Sequence, residues 1–467
     1  MTPGVLTPDE LTALAHEILG MTAADTASVR ITHNANRVTR IARNRVQQLS
    51  NGEKLELELQ TQFGSKETVN LELNQLDHDT LRSAVQYVER VARETNGDPA
   101  PNPQAMPIPP RKYLPNSCWF ERTAQALGQD RQGMVESVVQ PMLAAKLTGA
   151  AFIGATAMST MYATKQGMLA AGESSDSELV VTGWSASNEV GPSGSGWAGQ
   201  ASRDWGKLDA DAVAAEAVRI TKLAANPVAF EPGRRTTILG RPAMAQIVRA
   251  MGSNFDAYAT HMGVTPLSIY KLHDRVLDER ITLSSDPNDP DGGYLPFDDS
   301  AYPRIPMTWI ERGRFVNLAY GAMYAAQRGV TPANQWCESV RVTVTPPANE
   351  AGRTPLTVED MIASCKEAIY VNRLADIEVV HSRSGLMTGV TSGGCFLVRN
   401  GKIDKSVKDF RFLDSPYFFL NRLVAVGTPE RTAFGYAPWH GDWPIAPTIV
   451  PPVMVRDFNF SALADAV

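Results

Sequence analysis

Hydrolytic metal chemistry needs two imidazoles about one helical turn apart, facing one cation, with a glutamate between them to take a proton from bound water; HExxH and HExxxH are its usual forms. The chain has one His-Glu pair, His16-Glu17, and Gly20 and Met21 stand where the second ligand would fall. His16 therefore reads as a surface helix residue. His261 and His273 lie twelve residues apart in polar sequence, and His381 neighbours Ser382, Arg383 and Ser384, so only long-range folding could make any of them catalytic. Cys365, His381 and Cys395 could converge as metal ligands, but their spacings of sixteen and fourteen residues match no local ligand geometry. Gly194, Gly196 and Gly199 spell GxGxxG, yet no helix is expected over Gln200–Lys207 and no acidic residue closes a second parallel strand downstream. A glycine-rich turn and strand is the reading that fits. Neither a GxSxG elbow nor a GxxxxGK[ST] phosphate loop occurs.

The 467 residues are 43% hydrophobic and 20% charged, an ordinary globular composition. A net charge of −6 gives no general pull toward nucleic acid or an anionic membrane. Arg30, Arg37, Arg40, Arg43 and Arg45 form the densest basic stretch, but Val38, Ile41 and Val46 interleave it without base-stacking aromatics, so a solvated face is expected. Cys118, Cys337, Cys365 and Cys395 are dispersed with no CxxC pair, which fits reduced thiols in a cytosol. The N-terminus has no basic region and carries Asp9, Glu10 and Glu17 where a secretory signal needs apolar residues, so a cytoplasmic protein is expected. Leu147–Thr164 is uncharged for 18 residues, close to a membrane span, but its six hydroxyls and two glycines point to strands.

The elements predict an α+β protein in segments. Over 1–98 an α/β domain is expected, with a helix at Thr7–Leu19 and strands at Asn36–Gln48 and Lys54–Phe63 joined by an Asn51-Gly52 turn. A second helix follows, capped by Asp77 or Asp79, with Leu81, Ala84, Val85, Val88, Val91 and Ala92 on one face. Six prolines between Asp98 and Pro110 predict an extended linker over 99–114. The segment 115–226 reads as a helix over Arg131–Leu147 bent at Pro141, a strand meander to Asp204, and an alanine-rich helix over Asp209–Asn226. The remainder, 227–467, reads as a β-rich domain with occasional helices. It includes a short strand in EPGRRTTILG, a helix at Pro242–Met251 and an Asn400-Gly401 hairpin turn.

Several blocks, in order, resemble the TldD/PmbA family: TRIARNRVQQLSNGEKLELELQTQFG, LDHDTLRSAVQYVERVA, SGWAGQASRDW, EPGRRTTIL, the stretch Ile369–Gly427, and PPVMVRDFNFSAL. The resemblance spans nearly the whole chain. In the metallopeptidase branch, the helix after the strand matching TTIL carries HExxxH and a later cysteine completes a zinc site. Here that helix reads AMAQIVRAMGSNF, with Gln246, Val248, Arg249 and Met251 in place of ligands and base, and Cys395 would be a ligand without companions.

The departure is similar to the PmbA (TldE) branch. That similarity implies a chain holding no cofactor itself and pairing with a TldD-like HExxxH subunit, which supplies zinc, in a heterodimer enclosing a chamber. The substrate would be a peptide or a peptide-derived small molecule, from general proteolysis or a natural-product pathway, held along a strand edge. No catalytic residue is assigned to this chain. Asn372, Arg373, His381, Thr388, Gly389 and Ser392 are the cleft candidates by position in the Ile369–Gly427 block, with ordinary sheet residues as the alternative. Two rival readings are a self-sufficient hydrolase using Cys395 or a serine near His381, and a regulatory binding protein.

Overall fold

A computed structural model describes residues 4–95, 112–115, 118–126, 128–185, 194–298, 301–334, 337, 339–346, 356–434 and 446–464. Of the expected linker over 99–114, only 112–114 lie among them. The fold is α+β.

The first half is built on α1 (Pro8–Met21), β1 (Thr26–Ala42), β2 (Arg45–Gln62), β3 (Val69–Leu73) and α2 (His78–Glu94). A short α3 (Glu121–Ala124), α4 (Gly128–Ala144), β4 (Thr148–Thr164), β5 (Leu169–Trp184), β6 (Ser195–Ser202) and α5 (Ala210–Leu223) follow. The strands form one sheet in the order β3-β2-β1-β4-β5-β6. β1 runs antiparallel to β4 from Ser28 opposite Thr164 to Ile41 opposite Ala151. The expected separation of 1–98 from 115–226 is therefore not a division of this sheet: its central pairing joins the two segments.

Local chemistry accounts for the helix starts. Thr7 and Glu10 form a reciprocal capping box at α1, and Asp77 accepts from Thr80 N at α2. Leu81, Ala84, Val85, Val88 and Ala92 of α2 are buried together, as the 3.6-residue period predicts. The hairpin differs from expectation. Its turn is Arg43-Asn44, both at positive φ (52° and 59°), while Asn51 and Gly52 pair in mid-ladder with Arg37 and Asn36. The physical reason is tertiary: Asn44 Oδ1 accepts from Gly149 N at 2.6 Å and its Nδ2 donates to Leu147 O at 2.8 Å, fixing the two-residue turn against β4.

All four long helices lie on one face of the sheet. α1 and α2 bury Val29, Ile31, Leu57 and Leu59, and α4 and α5 bury Ile153, Leu179 and Val181. The GSGWAG glycines make room for α5. A methyl group on Gly196 would sit 2.2 Å from Thr221 N, and one on Gly194 would sit 1.9 Å from Ala224 O. This segment is a strand against a helix, not a phosphate-binding turn.

The second half begins with β7 (Gly233–Leu239), α6 (Arg241–Met251) and α7 (Ala257–His261), then β8 (Ile281–Ser285), β9 (Met307–Glu311), β10 (Arg314–Phe315), α8 (Ala322–Arg328), β11 (Val340–Val344) and α9 (Val358–Ser364). It ends with β12 (Glu367–His381), β13 (Leu386–Arg399), β14 (Lys402–Ser406), β15 (Phe410–Asp414), β16 (Leu423–Val426), β17 (Glu430–Arg431), β18 (Ile449–Val450) and β19 (Val453–Leu463). The order β12-β7-β19-β15-β13 closes on itself because β13 also pairs with β12. Phe410, Phe412, Phe458 and Phe460 pack in tilted and edge-to-face pairs within this ring of strands, at centroid distances of 4.6–5.4 Å. A second sheet, β10-β9-β8-β11-β18-β17, shares their core through Leu283, Trp309, Ile310 and Val342. The Asn400-Gly401 turn between β13 and β14 is as expected, with both residues at positive φ (51° and 77°).

The halves meet along α5, where Ile220 and Ala224 pack with Ile238 and Phe396, and on the helix-free face of the first sheet. Tyr162 and Ala170 pack against Phe297 and Ala301, Met158 against Tyr294 and Leu295, and Val38, Phe152, Val180 and Trp197 against Ala433.

Candidate functional site

The helix that follows β7 is where the sequence places its most informative departure. Gly240 caps α6 without a side chain, and a methyl group there would sit 2.8 Å from Asn372 O, so the helix starts pressed against β12. Along α6, Ala243, Met244, Ala245, Gln246, Ile247, Val248 and Met251 are all buried. Arg249 alone of the motif positions reaches solvent, its guanidinium 5.3 Å from the centre of the Phe434 ring.

These residues do not fit zinc. Gln246 offers a neutral amide, Val248 and Met251 are apolar, and Arg249 carries a positive charge. Cys395 is 2% exposed, and burial, reinforced by nearby Asp409, pushes its thiol well above the ordinary range, away from the thiolate that a metal requires. Among the described residues no group of three or more His, Cys, Asp or Glu side chains is placed so that it could hold a metal ion. Cys365, His381 and Cys395 are not brought together: Cys365 sits before β12, His381 ends that strand, and Cys395 pairs near its start with Val371.

The six cleft candidates separate by role. Asn372 is buried at a bulge in the β12–β13 ladder, and its Nδ2 donates to Trp197 O and to Gly393 O, both at 2.8 Å. Gly389 is also a packing position, because a methyl group there would sit 2.8 Å from the Phe412 ring and 2.9 Å from Ala375 O. Arg373 and Ser392 lie directly opposite each other, half-buried, and Thr388, on the same face of β13, donates from Oγ1 to Phe412 O at 2.8 Å. His381 is exposed at the hairpin tip, with Nδ1 2.8 Å from Ser384 Oγ. Asn372 and Arg373 thus stand where the halves meet, and His381 stands at the far end of the hairpin.

Around Arg373 the structure gathers residues that sequence reading did not single out. The guanidinium lies 5.4 Å from the Trp197 ring centre, and its Nη2 reaches Phe434 O at 3.5 Å. Phe434 N donates to Glu178 Oε1 at 3.1 Å. One aromatic residue is therefore held by the first sheet through Glu178, by β12 through Arg373 and by α6 through Arg249. Beside this group, Phe152 and Val180, which pack with Trp197, line a recess of about 400 Å³ with Arg40, Gln48 and Thr182. Trp197 was visible in GSGWAG, but only as the residue between two glycines. Trp197 and Phe434 are themselves buried, at 4% and 3% exposure, so what the arrangement turns outward is the half-buried Arg373, the exposed Arg249 and the adjoining recess, while the Glu178 carboxylate is engaged by Phe434 N.

Residues 232–462 match the family model of the PmbA/TldA metallopeptidase C-terminal domain. The chain is 24% identical over 207 residues to a metalloprotease of Archaeoglobus fulgidus, an alignment covering 43% of this chain and 47% of that protein, so the match spans about half the length of the relative. Two solved structures share the fold. TldE from Thermococcus kodakarensis superposes with a TM-score of 0.78 at 16% identity, over 96% of this chain and 99% of that one. A candidate DNA gyrase modulator from Thermotoga maritima superposes with a TM-score of 0.77 at 14% identity, with the same coverage. The α+β architecture and its C-terminal domain define a metallopeptidase-type fold. The chain belongs to the TldD/PmbA family.

Proposed function

We propose that this chain is the subunit without metal chemistry in a two-subunit, zinc-dependent peptidase or amide hydrolase. A family member carrying HExxxH would hold the zinc, and this chain would form part of the chamber wall and hold an extended peptide or peptide-derived substrate. The observation that carries the proposal is the content of α6: Arg241–Met251 holds no histidine, cysteine, aspartate or glutamate, so this helix has neither the two imidazoles nor the carboxylate that the chemistry needs. Arg373 and Arg249, backed by the buried rings of Trp197 and Phe434 and flanked by the recess, are the part of the surface suited to a peptide.

Hydrolysis by Cys395 is disfavoured by its burial, which pushes the thiol well above its ordinary range and keeps it protonated. His381 touches Ser384, but both are exposed at a hairpin tip, and no carboxylate contact to His381 is seen among the described residues. Co-expression with an HExxxH family member, followed by peptide hydrolysis assays of each chain and of the mixture, tests the reading. Activity confined to the mixture is expected; hydrolysis by this chain alone would overturn it.

A further inference from the structure

The most exposed large apolar side chain among the described residues is Ile269, at 79%. It lies on a short helical turn, Pro266–Ile269, within a surface that α7, α8 and the β12–β13 tip share. Tyr258, Met262, Leu272, Met323 and Val380 on this surface are each 48–55% exposed.

The surface is continuous and firmly held. Tyr258 and Tyr324 meet edge to face at 5.3 Å, Tyr320 and Tyr324 stack at 6.3 Å, and His261 Nδ1 lies 2.8 Å from the Tyr324 hydroxyl, tying α7 to α8. On the other side, a methyl group on Gly385 would sit 3.0 Å from both Pro266 and Tyr417, so the hairpin tip rests on the Pro266–Ile269 turn. Rings held in this way lose little further freedom when covered, which favours binding.

Two physical arguments identify the occupant. Six or more large apolar side chains at half exposure present on the order of several hundred Å² in one place. That reaches or passes the ~300–600 Å² of the largest patch on a typical monomer and approaches the ~800 Å² each partner buries in a stable interface. Aromatic residues and methionine are also the types enriched at interface centres. The exposed charged residues of these same segments carry both signs, Lys271, Arg328 and Arg383 against Asp274, Asp376 and Glu378, so they lack the surplus of positive charge that an anionic membrane selects.

We infer that this face docks a second polypeptide, and that the polypeptide is the metal-bearing family member. The inference rests on the two-subunit reading above and adds where the subunits touch. The hairpin gives the contact a route to the cleft: β12 carries Arg373 near the junction of the halves and His381 at the docking face.

The test uses the full chain co-expressed with the HExxxH family member of the same organism. Ile269→Asp and Met262→Asp place charges on exposed side chains, and Leu49→Asp, at a 60% exposed position on β2, serves as control. Thermal unfolding of all three should match wild type. The first two should weaken co-purification at least tenfold and the control should not. A wild-type complex with undiminished affinity in both Ile269→Asp and Met262→Asp would overturn the docking face while leaving the two-subunit reading intact. Failure of wild type to form any complex would sink both. If the chain instead forms a dimer with itself that Ile269→Asp splits, the occupant is a second copy and the inference is wrong.

Discussion

The Asn372 side-chain amide donates to the Trp197 backbone carbonyl at 2.8 Å and thereby joins β12 of the C-terminal domain to β6 of the first sheet. The same Nδ2 reaches Gly393 O at 2.8 Å, where a methyl group on Gly393 would sit 2.5 Å from Trp197 Cβ. Three segments far apart in sequence therefore meet within one set of contacts, at the edge of the proposed substrate cleft.

Asn372→Ala should lower stability by about 1–3 kcal/mol, because it leaves two buried carbonyl groups without their shared donor. Asn372→Asp should be worse, since its carboxylate faces the same two oxygens. Urea unfolding of both variants checks the order; equal stability of Asn372→Ala and wild type would show that the contacts contribute nothing.

Gly196→Ala should be strongly destabilising, because the added methyl group would meet Thr221 N at 2.2 Å and push α5 from the sheet. Gly52→Ala is the contrast, with no atom within 4 Å of the added carbon. Comparing midpoints of thermal unfolding tests the packing role of the GSGWAG glycines, and nicotinamide dinucleotide should not raise the midpoint of wild type.

Asp409 gives a pH dependence. Burial pushes its carboxyl up to about 6, against the hydrogen bond from Thr391 Oγ1 that lowers it. A folded-state value above the unfolded one means the native state binds the extra proton, so this contribution is intact below about pH 4 and is lost as pH rises through about 6. Asp409→Asn should therefore stabilise the protein at pH 8, by up to about 3 kcal/mol, with the gain shrinking toward pH 4. Urea midpoints at the two pH values measure it; a gain that is larger at pH 4 would contradict the assignment.

All four cysteines are buried, at 1–8% exposure. An aromatic disulfide reagent at pH 8 should modify them only on unfolding, and Cys395→Ser should leave hydrolysis by the two-subunit complex unchanged. Rapid labelling of the native protein together with loss of that activity would revive a cysteine role.

Much of the fold was legible because its determinants are local. The apolar stripe of α2, the Thr7–Glu10 cap and the Asn400-Gly401 turn each depend on residues within a few positions of one another. Asn51-Gly52 carried the same turn signal as Asn400-Gly401 but lies inside a ladder, because Asn44 is tied to Gly149 and Leu147 across 105 and 103 residues. The β1–β4 pairing was hidden for the same reason, since strand partners distant in sequence leave no short-range trace. The candidate site was legible as an absence along α6 and as a block around Asn372. Its composition was not: Trp197, Glu178 and Phe434 reach Arg373 only through the packing of the two halves.

Metal analysis tests the central claim most directly. Zinc should be counted in the purified chain alone, in the HExxxH family member alone and in their complex, with peptide hydrolysis measured on the same samples. The proposal predicts no bound zinc in this chain, one zinc per complex contributed by the other subunit, and hydrolysis only where that zinc is present. One tightly bound zinc in the isolated chain, accompanied by peptide cleavage, would contradict it.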